Sequence, residues 1–324
     1  MATAENAKLQ YEAGQSSVAM SALTNSGDET TFTSAATLWS QRAGYAPVVM
    51  PNGVLTGLAV SVHASNDTVT VAAGTCNLNG VVTSVSAGTG VITRPATNVA
   101  KVCSITINSS GAIAVVAGTD GGSTTFSETR AAAGGPPLIP TTSIEIAQVR
   151  VTASSAAVIT AAQVFQVVGT HRERADYPLY DINYDEGSVT FLSALPEIHT
   201  GTVPKGVYAS YASPIFSDVA LASDFVPPET SHSVSSTQVY GTTLGSTSST
   251  LGQGSFTAYL QDGVSDGLVT LKNEILWFKF YPDRYKTPYL LTQGKLGISR
   301  TFPAGDTLQA ACTISASSAA VEVA

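Results

Sequence analysis

A period-two alternation of branched apolar and small polar residues, broken at short intervals by turn signals, restricts this chain more than any other feature. Thr68-Val69-Thr70-Val71, Cys103-Ser104-Ile105-Thr106-Ile107, Ser143-Ile144-Glu145-Ile146 and Ser188-Val189-Thr190-Phe191 all carry it. Successive side chains of a strand point to opposite faces, so this spacing reads as strand. Between the runs stand Asn52-Gly53, Asn79-Gly80, Asp120-Gly121-Gly122, Asp185-Glu186-Gly187 and Ala304-Gly305-Asp306, residues that tolerate a positive φ or bond their own backbone. The pattern predicts an all-β chain of sandwiches or barrels with one or two short helices. One helix is predicted over 32–42, where Phe32, Ala35, Ala36 and Trp39 share a face and Gly44 and Pro47 follow. A second, shorter one is predicted over 265–273.

Charge is scarce and unevenly placed. Of 324 residues, 15 are basic and 23 acidic, or 12%, where a soluble globular chain carries about 25%. With 44% hydrophobic residues, the composition excludes a disordered acidic tail. It also leaves a free surface short of charge, so cover by other subunits is expected. The net charge of −8 argues against a protein that grips phosphates. Residues 46–170 hold four acids (Asp67, Asp120, Glu128, Glu145) and four bases (Arg94, Lys101, Arg130, Arg150), whereas 171–229 hold nine acids against three bases.

Three segments are therefore expected: an N-terminal arm over 1–45 with the short helix, a low-charge β-rich module over 46–170, and a β-sandwich over 171–324 with an acidic first part. Gly134-Gly135-Pro136-Pro137-Leu138-Ile139-Pro140 reads as a loop, because proline removes ladder donors. A long loop is expected over 227–254, rich in Ser, Thr and Gly, with Tyr240, Leu244 and Leu251 spaced along it and order gained on contact with a neighbour. The longest uncharged apolar stretch, 112–118, falls far short of the roughly 20 residues of a membrane span. The first residues show no basic and then apolar leader, so neither membrane insertion nor export is expected. Cys76, Cys103 and Cys312 are too few and too scattered for a disulfide framework or zinc site. Cys103, in step with Ile105 and Ile107, reads as a reduced core thiol, with a bridge to Cys76 as the alternative.

No nucleophile elbow, phosphate-binding glycine loop, dinucleotide fingerprint or paired-histidine zinc helix occurs. His63, His171, His199 and His232 are widely dispersed, so no catalytic residue, metal site or cofactor is expected. The run Asp181-Ile182-Asn183-Tyr184-Asp185-Glu186-Gly187 has the oxygen spacing of a calcium loop. Its glycine falls one place late, and Leu192 stands where a bidentate Glu is needed. A hairpin turning at Asp185-Glu186-Gly187 explains the same residues. His171-Arg172-Glu173-Arg174 reads as a solvated charge patch, or as an inter-subunit salt bridge if the chain assembles. Ile275-Leu276-Trp277-Phe278-Lys279-Phe280-Tyr281 is bulky on both strand faces. Such a strand is covered on both sides, either by a helix or arm of its own chain or by another subunit.

With these residues in view, the last third of the chain resembles the major tail tube proteins of long-tailed, non-contractile bacteriophages. The resemblance spans roughly 225–324 and is carried by Gly254-Ser255-Phe256-Thr257-Ala258-Tyr259-Leu260-Gln261-Asp262-Gly263, by 275–283, by Gly294-Lys295-Leu296-Gly297-Ile298-Ser299-Arg300-Thr301-Phe302-Pro303-Ala304-Gly305-Asp306-Thr307-Leu308, and by the small-residue strand 309–315. Residues 54–83 look like the Gly/Ala/Val-rich β modules of phage tail appendages. The resemblance implies a β-sandwich that closes with its copies into hexameric rings stacked as a tube, joined by loops and an N-terminal arm. It implies a virion protein assembled in the host bacterial cytoplasm. Its partners would be itself and other tail proteins (tape measure, terminator, distal tail), with DNA held only in transit and no membrane. Interface candidates are then Trp39, Tyr240, Leu244, Leu251, Phe256, Tyr259, Trp277, Phe278 and Tyr281. Lumen candidates are the acids Asp181, Asp185, Glu186, Asp218 and Asp224. Six copies at −8 carry −48 per ring, a field that repels phosphates near the wall. The alternatives are a baseplate or tail-fibre receptor-binding protein, which would form trimers, and a polysaccharide-degrading enzyme with carboxylates drawn from 173–229.

Overall fold

The computed structural model describes residues 6–35, 38–219 and 221–324. It is 51% strand and 2% helical, as the alternation requires. Two compact units share the chain: a terminal unit of residues up to Ser17, Trp39–Pro47 and Ala212–Ala324, and a middle unit of Val18–Leu38 and Val48–Tyr211. Residues 171–211, grouped above with the C-terminal third, fall in the middle unit.

The middle unit is a set of small antiparallel sheets. Strand β1 (Ala7–Ala22) enters it from the terminal unit. A three-stranded sheet joins β2 (Gly53–Gly57), β3 (Gly74–Leu78) and β4 (Val81–Val85). The turn between the last two is Asn79-Gly80, with both residues at positive φ. A larger sheet is built on β5 (Lys101–Asn108), β6 (Ile113–Ala117) and β7 (Ser143–Val151). Both β5 and β7 are buried along nearly their whole length, and Cys76, Cys103, Ile105, Ile107, Ile144 and Ile146 meet in one core. All three cysteines are free and buried, so the Cys76 to Cys103 bridge is not formed.

The calcium-like run forms the expected hairpin. β8 (Tyr180–Asn183) pairs with β9 (Ser188–Phe191), Tyr180 facing Phe191 and Ile182 facing Val189. The helix expected over 32–42 is absent among the described residues, and Ala36 lies outside them. Phe32 instead sits in a short strand opposite Val189, its ring edge-on to Phe191 at 5.7 Å, while Ala35 is exposed and Trp39 belongs to the terminal unit. Of the helically spaced apolar residues, Phe32 and Trp39 are buried in different units.

In the terminal unit, strand β10 (Val207–Asp218) contributes its second half beside β1. The sheet continues through β11 (Ala222–Val226), β14 (Gly254–Tyr259), β15 (Ile275–Phe280), β16 (Tyr289–Thr301) and β17 (Gln309–Ala316), in the order β11-β14-β17-β16-β15-β1. Between β11 and β14, the expected loop is a regular hairpin of β12 (Thr230–Val239) and β13 (Thr242–Leu251), with Tyr240 and Gly241 at its tip. Its threonines and valines suit a strand, and serines bond across it, Ser233 to Ser248 at 2.7 Å and Ser235 to Ser246 at 2.6 Å. The helix expected over 265–273 shrinks to α1 (Gly267–Thr270). It stops where Asn273, at φ 71°, turns its N–H to the Leu296 carbonyl at 2.8 Å.

Candidate functional site

Two places hold the chemistry: the hairpin β12–β13 and a charged cavity in the middle unit. Every hairpin residue is exposed except Leu251 at its base, which is half-buried. Val234 is 77% exposed, Leu244 60%, and Tyr240 fully so. A two-stranded ribbon with water on both faces is marginal on its own, and ten residues per strand give it a reach of about 33 Å. Its outer edges present unpaired N–H and C=O groups, which is a template for another strand. The base is fixed, with the Gly252 N–H donating to Glu229 O at 2.8 Å.

Of the expected interface residues, Tyr240, Leu244 and Tyr259 are exposed, and Leu251 and Tyr281 half-buried. Trp39, Phe256, Trp277 and Phe278 are corrected to interior residues, each at most 4% exposed. The chain covers both faces of β15 itself. On one face the Trp277 indole donates to the Trp39 carbonyl at 2.9 Å and the Trp277 backbone N–H donates to Gln10 at 3.1 Å. On the other, Leu276 and Phe278 pack in a core with Phe256 and Leu271. Sequence reasoning missed the ring pair Phe225–Phe280, parallel at 4.4 Å, and Lys279, whose ammonium lies 4.2 Å from the Phe216 ring centre and 4.6 Å from that of Tyr289.

The five acids are divided between the two units. Asp181, Asp185 and Glu186 are exposed on the β8–β9 hairpin of the middle unit. In the terminal unit Asp218 pairs with Lys8 at 2.5 Å, and exposed Asp224 takes the Ser223 hydroxyl at 2.9 Å. Among the described residues no group of three His, Cys, Asp or Glu side chains is placed to hold a metal ion.

The cavity was not foreseen. The cluster His171-Arg172-Glu173-Arg174, expected at the surface, puts Glu173 and His171 inside, 6% and 8% exposed. The reason is backbone pairing: the Val54 N–H of β2 donates to Glu173 O at 3.0 Å, and the Glu173 N–H donates to Glu145 O of β7 at 2.9 Å. Residue 173 is thus clamped between two sheets. Its Oε2 accepts the Glu145 N–H at 2.6 Å, while Oε1 has no partner. Burial pushes the Glu173 carboxyl up to about 7, against the pull of Lys205. Lys205, itself 3% exposed, donates to the carbonyls of Arg174 at 2.8 Å and Tyr177 at 2.6 Å, and burial pushes its ammonium down to about 8. Glu145 is held by Arg130, Ser104 and Gln148; burial pushes its carboxyl up against the pull of Arg130. Glu173, Lys205, Glu145 and Arg130 line a cavity of about 310 Å³ together with Arg172, Arg174 and Tyr177.

One signal pointed this way: the low-charge segment carries four acids and four bases. The fold joins them one to one, Asp67 to Arg94, Asp120 to Lys101, Glu128 to Arg150 and Glu145 to Arg130. No helix is long and apolar enough to cross a membrane among the described residues. No protein-family model and no curated protein matches this sequence.

Proposed function

We propose that the chain is the self-assembling subunit of a hollow, non-contractile phage tail tube, built as stacked hexameric rings that conduct DNA without binding it specifically. The observation that carries this reading is the β12–β13 hairpin, which buries almost nothing within its own chain. A polar ribbon of this length gains its stabilisation from a neighbour, and a further copy of the chain supplies one by symmetry. The segments that resemble tail tube proteins support the same reading, since they form β14, β15, β16 and β17 of one sheet. Its outermost strand, β11, offers a further edge for closure with the next subunit. In this role the partners are the chain itself and the other tail proteins, tape measure, terminator and distal tail, and the place is the virion tail. The polymer performs the function, so no catalytic centre is invoked. Negative-stain microscopy of the purified full chain tests the proposal. Rings or hollow filaments of even width are expected; discrete trimeric rods, which would favour a receptor-binding appendage, or dispersed monomers at high concentration overturn it.

A further inference from the structure

Lys8 of β1 and Lys279 of β15 stand directly opposite each other in the strand register, next to the pair Leu9 and Phe278. Leu9 and Phe278 belong to the core, so both lysines project from the other face of the sheet. Like charges facing each other across a ladder are destabilising. Asp218 relieves Lys8. Lys279 has no carboxylate and no hydrogen-bond acceptor among the described residues; half-buried, its ammonium lies only against the Phe216 and Tyr289 rings. Burial, and Lys8 beside it, push that ammonium down. Residues 279–289 carry three bases against one acid, in a chain of net charge −8. This face is short of negative charge.

The middle unit holds the opposite charge in the same unsatisfied state. Asp181, Asp185 and Glu186 are exposed on the β8–β9 hairpin, which has no base between Tyr180 and Phe191. None of the three has a cation partner among the described residues, whereas each of the four acids in 46–170 has one. Asp181 and Asp185 alternate with half-buried Tyr180, Ile182 and Tyr184, so they share the outer face of the strand, and Glu186 follows in the turn. A cationic sheet face and an anionic hairpin on one chain are complementary in charge. Two different patches that fit each other make a head-to-tail contact, the kind that builds rings and filaments.

We infer that the sheet face around Lys8 and Lys279 receives the hairpin carrying Asp181, Asp185 and Glu186 from a second copy of this chain. This rests on the assembly reading and deepens it, placing three acids between copies and not on a lumen wall. Exposed ion pairs add little affinity but fix orientation, so the contact aligns the neighbour. Carbodiimide coupling of an equal mixture of isotope-labelled and unlabelled full chain tests it, read by mass spectrometry. Amide links from Lys8 or Lys279 of one copy to Asp181, Asp185 or Glu186 of another are expected. Asp185→Lys with Glu186→Lys, both on an exposed turn, should raise the concentration at half-assembly about tenfold or more. Adding Lys8→Glu and Lys279→Glu should restore it. Melting curves identify a fourfold variant that does not fold, and the cross-links then decide. Rings in the parent without these links overturn the inference and leave the tube standing; links without rings keep the contact and overturn the tube. Unchanged assembly of the Asp185→Lys, Glu186→Lys variant overturns the inference. So does retention of a DNA duplex that Lys279→Gln abolishes while assembly is unchanged, since the face then serves phosphates.

Discussion

The indole N–H of Trp277 donates to the backbone carbonyl of Trp39 at 2.9 Å, and neither side chain is more than 2% exposed. This bond ties the segment 39–47 down onto the central strand of the terminal unit. Trp277→Phe keeps most of the ring but leaves the Trp39 carbonyl buried without its donor. The expected cost is about 2–3 kcal/mol, read as a lower urea midpoint with an unchanged slope.

The hairpin is expected to matter for assembly and not for folding. Thr230 and Leu251 are paired at its base, so excising 231–250 and closing the gap with a two-residue turn leaves the sheet intact. The melting temperature should stay within a degree or two, because the removed residues bury almost nothing. Filament formation should be lost by light scattering and microscopy, and Tyr240→Ser with Leu244→Ser should weaken it. A truncated chain that still polymerises removes the hairpin from the interface.

Stability should depend on pH through Glu173. An unfolded glutamate releases its proton near 4.5, whereas the folded one keeps it to about 7. The folded state therefore binds the extra proton between these values. Glu173's contribution is fully present below about 4.5 and is lost as pH rises to about 7, by about 3 kcal/mol. Lys205 acts in a separate window: its contribution is present above 10.5 and is lost as pH falls through about 8. In Glu173→Gln the acid-side slope should flatten and stability at pH 7.5 should exceed that of the parent. Parallel curves for the two proteins across pH 4.5 to 7 would show that Glu173 is not the titrating group.

The thiols should be inert in the folded protein. Burial raises all three, Cys76 to about 11 and Cys312 to about 12, and the thiolate is the reactive form. Reaction with Ellman's reagent at pH 8 should be at least about 100-fold slower than for a free thiol, with three thiols titrating once the chain is unfolded in urea.

Gly53 stands where β2 meets the segment that carries Glu173. Its φ is 150°, and a Cβ there would lie 2.4 Å from the carbonyl carbon of Arg174 and 2.6 Å from the Ala175 nitrogen. Backbone cannot yield as a flexible side chain does. Gly53→Ala should cost at least about 2 kcal/mol in urea unfolding, and should loosen the clamp on Glu173.

The local content of this fold was written in the chain. Alternation fixed the strands at Thr68–Val71 and Ser188–Phe191, and Asp185-Glu186-Gly187 marked a turn, because these signals act between residues a few places apart. The equal numbers of acids and bases in 46–170 could be counted from the chain. Which acid met which base was decided only by the tertiary structure: Arg130 reaches Glu145 and Arg94 reaches Asp67 through strand register across many residues. The same holds for Trp277, whose bulky neighbours announced cover on both faces without saying that Trp39 lies against one and the core of Phe256 and Leu271 against the other. Phe32 and Trp39, seven residues apart, had the spacing of a helix and were drawn into different cores. Burial of apolar surface rewards wherever the whole chain can bring partners together, and that choice overrides a weak local preference. Glu173 was displaced from the expected surface for the same reason, held inside by backbone bonds to β2 and β7 that no local pattern encodes.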